Sequence, residues 1–148
     1  MILYLDTSAL VKLYVREPGS MRTRNLLTRA RAASTSIIAY AETRAAFGRL
    51  MRSEMTTSAR HRQRVARFNQ DWDAYVRVAL SPFVARTAGD LAETHGLRGF
   101  DAIHLASALL LKDRAPQEVW FCCFDQRLCA AALAVGLPVA PENKRASP

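Results

Sequence analysis

Cysteine is scarce and oddly numbered in this chain: Cys122, Cys123 and Cys129 are the only three among 148 residues. An odd count with two adjacent members makes neither a disulfide framework nor a C-x-x-C metal pattern. The three read as small buried apolar side chains in a reducing cytoplasm. No apolar run approaches the roughly 18 uncharged residues of a membrane span, so no membrane association is expected. The opening MILYLD has no basic lead and no cleavage site, and a secretory signal is not expected either. Repeats, low-complexity tracts and convincing linkers are also missing. That points to one domain over residues 1–141, followed by a polar tail at 142–148.

Acidic charge is thin as well. Asp and Glu total 13 against 21 Lys and Arg, a net charge of +8. Arginine, the better phosphate ligand, supplies most of the cations. It gathers in two segments, Arg16 to Arg31 and Arg44 to Arg67. Such a balance favours an anionic partner, RNA or DNA first. The same arginines also suit a solvated helix face with no partner.

What is present alternates. ILYL reads as a buried strand and SALVKLYVREPGS as a helix stopped by Pro18 and Gly19. GSMRTRNLLTRARA is a second helix. ASTSII begins as a strand and turns helical near Ala39. A long helix is expected from Thr56 to Ala74 and a strand at YVRVAL. Pro82 suits the first turn of a helix that ends at Gly96. FDAIHLASALLLKD is an apolar helix starting at or near Asp101, EVWFCCF a strand, DQRLCAAALAVG a helix and LPVA a last strand. Strands alternating with helices predict an α/β fold, a small parallel sheet sandwiched by helices.

Four acids fall where such a sheet binds ligands, at the carboxyl ends of its strands. Asp6 ends the first strand and Asp125 follows EVWFCCF. Glu42 lies just past STSII, and Asp101 opens the FDAIHLA helix. Brought together unpaired, they would repel and raise one another's pKa. A divalent cation removes that conflict, and all-oxygen donors point to Mg²⁺ or Mn²⁺ rather than zinc. A hard cation beside an arginine-rich surface is the arrangement phosphodiester cleavage requires.

Plainer roles fit the same residues. Asp6, Asp101 and Asp125 each suit a helix N-cap, and acids in a first turn complement the helix dipole. Thr7 and Ser8 could hydrogen-bond the acids or cap the first helix themselves. His104, three residues after Asp101 on the same helical face, could orient a carboxylate or pack as a satisfied core histidine. LDTS after a strand also has the look of an aspartyl-phosphate nucleophile loop, but Ser8 stands where such enzymes usually place a second acid. A non-catalytic RNA- or protein-binding module with structural acids is the further alternative.

YLDTSALVKLY, AYAETRAAF, HGLRGFDAIHLASAL and FDQRLCAAALAVGL, in that order, resemble the PIN-domain ribonucleases. More closely, they resemble the VapC-type toxins of toxin–antitoxin pairs. The resemblance implies an α/β/α domain binding Mg²⁺ or Mn²⁺, with Asp6, Glu42, Asp101 and Asp125 as the catalytic acids. Asp6 and Asp101 would be the firmest metal ligands. Glu42 would ligate or help activate the attacking water, and Asp125 would complete the metal site, directly or through water. It further implies endonucleolytic cutting of tRNA or rRNA that halts translation. A cognate antitoxin would block the cleft, and the toxin would form a homodimer. A housekeeping RNA-processing nuclease fits the same motifs. One position departs from the pattern: Cys123 stands where the family often has Thr or Ser, and a thiol is a poor partner for a hard metal.

Overall fold

The computed structural model describes residues 1–141. The segment read as a polar tail, 142–148, lies outside the described residues.

Five parallel strands form one sheet: β1 (Ile2–Leu5), β2 (Ala32–Ser36), β3 (Val76–Val78), β4 (Val119–Cys122) and β5 (Val139–Ala140). Their order across the sheet is β3-β2-β1-β4-β5. Seven helices connect them. α1 (Thr7–Val11) and α2 (Ser20–Arg29) follow β1, and α3 (Ala39–Arg52) and α4 (Ser58–Trp72) follow β2. α5 (Pro82–His95) and α6 (Gly99–Arg114) follow β3, and α7 (Gln126–Ala134) follows β4. The α/β/α architecture expected from the alternation is the one observed.

The period of two along each strand divides the core. Leu3 and Leu5 point to one face, where they meet Ala9, Leu10, Phe47 and Phe68. Ile2 and Tyr4 point to the other, with Leu105, Phe121 and Leu128. Both faces are covered, which is why ILYL is apolar throughout rather than alternating. β2 is different, because its AASTS sequence brings hydroxyls into the interior. They find carbonyls: Thr35 Oγ1 donates to Leu5 O at 2.8 Å and Ser34 Oγ to Val76 O at 2.7 Å.

Most expected boundaries hold, including Pro82 in the first turn of α5 and Gly96 closing it at φ +62°. The first helix is a correction. It stops at Val11 rather than running to Pro18. Beyond it the chain tightens into i→i−3 bonds, Leu13 N to Leu10 O and Tyr14 N to Val11 O. That turn sends Leu13 and Val15 into the core. Gly19 then starts α2 at φ +94°, pressed so closely against the Phe124 ring that a Cβ there would lie 2.6 Å from it.

Candidate active site

The chain order reverses at β1. It runs β1, β2, β3 outward in one direction, then crosses back to place β4 on the other side of β1. Crevices open at such a reversal, outside the carboxyl ends of the strands. Asp6 follows β1 and Asp125 lies just beyond β4, so the two flank that crevice. Glu42 enters from the first turn of α3 and Asp101 from the first turn of α6.

The capping readings separate the acids into two pairs. Asp6 is the N-cap of α1, accepting from Ala9 N at 2.8 Å, and Asp125 is the N-cap of α7, accepting from Leu128 N at 2.8 Å. Asp101 is not a cap: α6 begins two residues earlier and Arg98 occupies the N-cap. Glu42 is not one either. Two of the four acids therefore cap no helix, although both lie in a first turn where their charge complements the helix dipole.

Electrostatics tie the four together. Asp6 is 4% exposed, and burial pushes its carboxyl up to about 6. His104, the Ala9 amide and Ser8 oppose that rise, while the charge of Asp101 adds to it. Burial also raises Asp101, with the charges of Asp125 and Glu42 pushing the same way and His104 and Arg98 against. Glu42 goes down. Burial works to raise it, but hydrogen bonds from His104 and Thr7 outweigh that and hold it below the usual carboxylate range. Ser8 and Thr7 serve the acids, as one of their two expected roles had it. Ser8 Oγ lies 2.8 and 3.0 Å from the two Asp6 oxygens, and Thr7 Oγ1 donates to Glu42 Oε1 at 2.6 Å.

His104 is both packed and connected. It is 1% exposed, with Nε2 2.9 Å from Glu42 Oε1 and 3.0 Å from Thr7 Oγ1. Its Nδ1 lies 3.1 Å from the Tyr4 hydroxyl. An ionised carboxylate only accepts, so Nε2 carries a proton toward Glu42, while Nδ1 pairs with the Tyr4 hydroxyl. Tyr4 had no place among the sequence-derived candidates.

Residues 3–133 match the PIN domain. The chain is a PIN-domain protein of the VapC family. It is 39% identical over 141 residues to Ribonuclease VapC45 and to Ribonuclease VapC49, both of Mycobacterium tuberculosis, covering 95% of each chain. A solved toxin–antitoxin complex from Klebsiella pneumoniae superposes with a TM-score of 0.66 at 18% identity, over 93% of this chain and 95% of that one. At that identity the likeness shows the fold alone.

Two grooves meet at Asp101 in this PIN domain, and both are lined by Arg98. One, of about 540 Å³, runs past Phe124, Asp125 and Arg127. The other, of about 630 Å³, runs past Thr7, Ser8, Lys12, Arg49 and Ser53. Asp101 and Asp125 therefore share these grooves with Arg49 and Arg98, with Lys12, which pairs with Glu17 at 2.9 Å, and with Arg127, which donates to Gly96 O at 3.0 Å. Sequence reasoning did not single these cations out, although Arg98 lies three residues before Asp101 and Arg49 two helical turns after Glu42. Other arginines of the basic runs are occupied in packing: Arg64 Nε donates to Tyr14 O and its guanidinium lies over Phe47, while Arg44 bonds the Tyr40 hydroxyl.

The donor set suits a hard divalent cation: carboxylate and hydroxyl oxygens, with two acids raised by burial and by neighbouring carboxylates. Among the described residues, no group of three His, Cys, Asp or Glu side chains is disposed to hold one ion. Cys123 does not serve it; its side chain packs with Tyr4, Phe121 and Leu128 in the core.

Proposed function

We propose that this chain is a divalent-metal-dependent endoribonuclease, the toxin of a toxin–antitoxin pair, acting in the cytoplasm on tRNA or rRNA to halt translation. The observation that carries the reading is the charge coupling of Asp101 with Asp6, Asp125 and Glu42 at the carboxyl edge of the sheet, with Asp101 and Arg98 lining two grooves that also hold cations. The relatives named Ribonuclease VapC support the activity, and the toxin–antitoxin neighbour supports the fold.

Asp6 and Asp101 would hold Mg²⁺ or Mn²⁺, with Asp125 completing the metal site directly or through water. The bound cation supplies a water of lowered pKa and offsets charge that builds on the phosphate. Glu42, kept ionised by His104 and Thr7, accepts the proton of the attacking water. Ser8 orients Asp6 and Thr7 orients Glu42. His104 acts through Glu42 as a positioning residue. Lys12, Arg49 and Arg98 hold the flanking phosphates of an RNA strand laid across the grooves. A cognate antitoxin blocks the same crevice, and two copies of the chain form a homodimer.

Two acids that do cap helices favour one second reading, a non-catalytic RNA- or protein-binding module. A single comparison separates them. Wild type and Asp101→Asn are expressed from an inducible promoter in bacteria, growth is followed and new RNA 5′ ends are mapped. Arrest with a few discrete new ends, for the wild type alone, is expected. Equal growth and no new ends with both proteins soluble would leave the binding module standing.

A further inference from the structure

Cys123 and Cys129 were expected to be small buried apolar side chains. The fold brings them together: Cys123 Sγ and Cys129 Sγ lie 2.6 Å apart. Disulfide sulfurs sit about 2.05 Å apart, so the pair needs to close by only about half an ångström. The two differ in access. Cys123 is 2% exposed, at the end of β4, whereas Cys129 is half-buried on α7 and reachable from outside. Cys122 takes no part, because strand alternation turns it to the opposite face of the sheet, against Leu5 and Phe47.

We propose that Cys123 and Cys129 form a site of reversible oxidation, closed to an intrachain disulfide by hydrogen peroxide and reopened by thiols. Cys129 Sγ attacks one peroxide oxygen. The O–O bond breaks, and the departing hydroxide leaves as water with the thiol proton. Cys123 Sγ then attacks the sulfenic sulfur. The S–O bond breaks, the second thiol proton leaves in a second water, and the S–S bond forms. Two thiols are oxidised and one peroxide is reduced to two waters. A reducing compartment makes such a bond transient rather than structural.

The bond would close a ring of chain from residue 123 to residue 129. Asp125 lies inside that ring, as do the cap bond from Leu128 N and the start of α7. The departure at Cys123 from the family's hydroxyl residue thereby gains a chemical use. Cys129 Sγ also donates to the Cys123 carbonyl oxygen at 3.6 Å.

The purified full chain is treated with hydrogen peroxide, alkylated under denaturing conditions and analysed by intact-mass and peptide mass spectrometry. Free thiols are expected to fall from three to one, with the loss of two hydrogens' mass and one cross-linked peptide joining Cys123 to Cys129. Dithiothreitol restores all three. Cys129→Ser and Cys123→Ser each abolish the cross-link. The wild-type peptide map decides alone if either variant fails to fold. Three alkylated thiols after peroxide would overturn the proposal. So would a bridge to Cys122 or between chains, or oxidation of Cys129 to sulfinic acid without a bridge. The readout is mass, so it stands apart from any ribonuclease activity.

Discussion

Two regions of this molecule handle polar groups in opposite ways. Over one face of the sheet, Phe68 of α4 is ringed by Tyr14, Tyr40, Phe47 and Trp72, with centroids 5.2 to 5.7 Å away. Each hydroxyl at its rim is answered: Tyr14 by Tyr75 and Asp71, Tyr40 by Asn69 and Arg44. At the carboxyl edge of β1 and β4 the reverse holds. Like charges are kept close, and one of them, Asp6, is buried with its carboxyl raised to about 6. Packing for stability would not retain that arrangement, whereas a site that takes up a cation would. On the proposed reading, the first region holds the fold's stability and the second gives some up for chemistry.

The comparison breaks first at Phe68. Truncating it to alanine removes the hub of the aromatic cluster and should destabilise the protein by about 3–5 kcal/mol. Denaturant unfolding measures this directly. A loss below about 1 kcal/mol would mean that the cluster is not the stabilising region.

Asp6 tests the other side. Its carboxyl titrates ordinarily near 3.8 and is raised to about 6 by burial in the fold. Between those values the folded state binds more protons than the unfolded chain, so stability falls as pH rises through that window. The loss is up to about 3 kcal/mol at neutral pH without divalent cations, and Asp101 shifts in the same direction. Asp6→Asn should flatten the profile, because asparagine still caps α1 but carries no charge to desolvate. Mn²⁺ should restore much of the loss for wild type and little for the variant. A wild-type profile already flat in chelator would remove the contrast between the two regions.

The sequence carried more of this than the partnerships require. Alternating elements fix the parallel sheet, and apolar runs ending in Asp6 and Asp125 mark the crevice, because those signals are local. What escaped was set by other segments. Asp101 looked like a helix start, but the helix begins at Gly99 and Arg98 occupies the cap. The first helix looked long, but core contacts of Leu13 and Val15 turn the chain early. His104 read more readily as a packed core histidine than as a functional one, because its partners, Tyr4 and Glu42, are far away in sequence. The Cys123–Cys129 contact joins a strand end to a helix, and counting cysteines does not reveal it.

Tyr4 offers the finest distinction between the regions, since it belongs to both. Its ring stacks on Phe121 in the core at 5.5 Å, while its hydroxyl meets His104 at 3.1 Å beneath the acids. Tyr4→Phe keeps the stack and removes only the hydroxyl. Stability should fall by about 1–3 kcal/mol, because the buried His104 Nδ1 loses its partner. If the hydroxyl sets the orientation of His104, and His104 that of Glu42, RNA cleavage by Tyr4→Phe should fall about tenfold, the lower end for loss of an orienting partner. The fall should appear in kcat with KM unchanged, because neither Tyr4 nor His104 lines the grooves that would receive RNA. His104→Asn should lose more, since both hydrogen bonds go. A fall in His104→Asn alone would assign the histidine's orientation to packing. Unchanged kcat in both would return His104 to the core, and the acids would then act without a buried support.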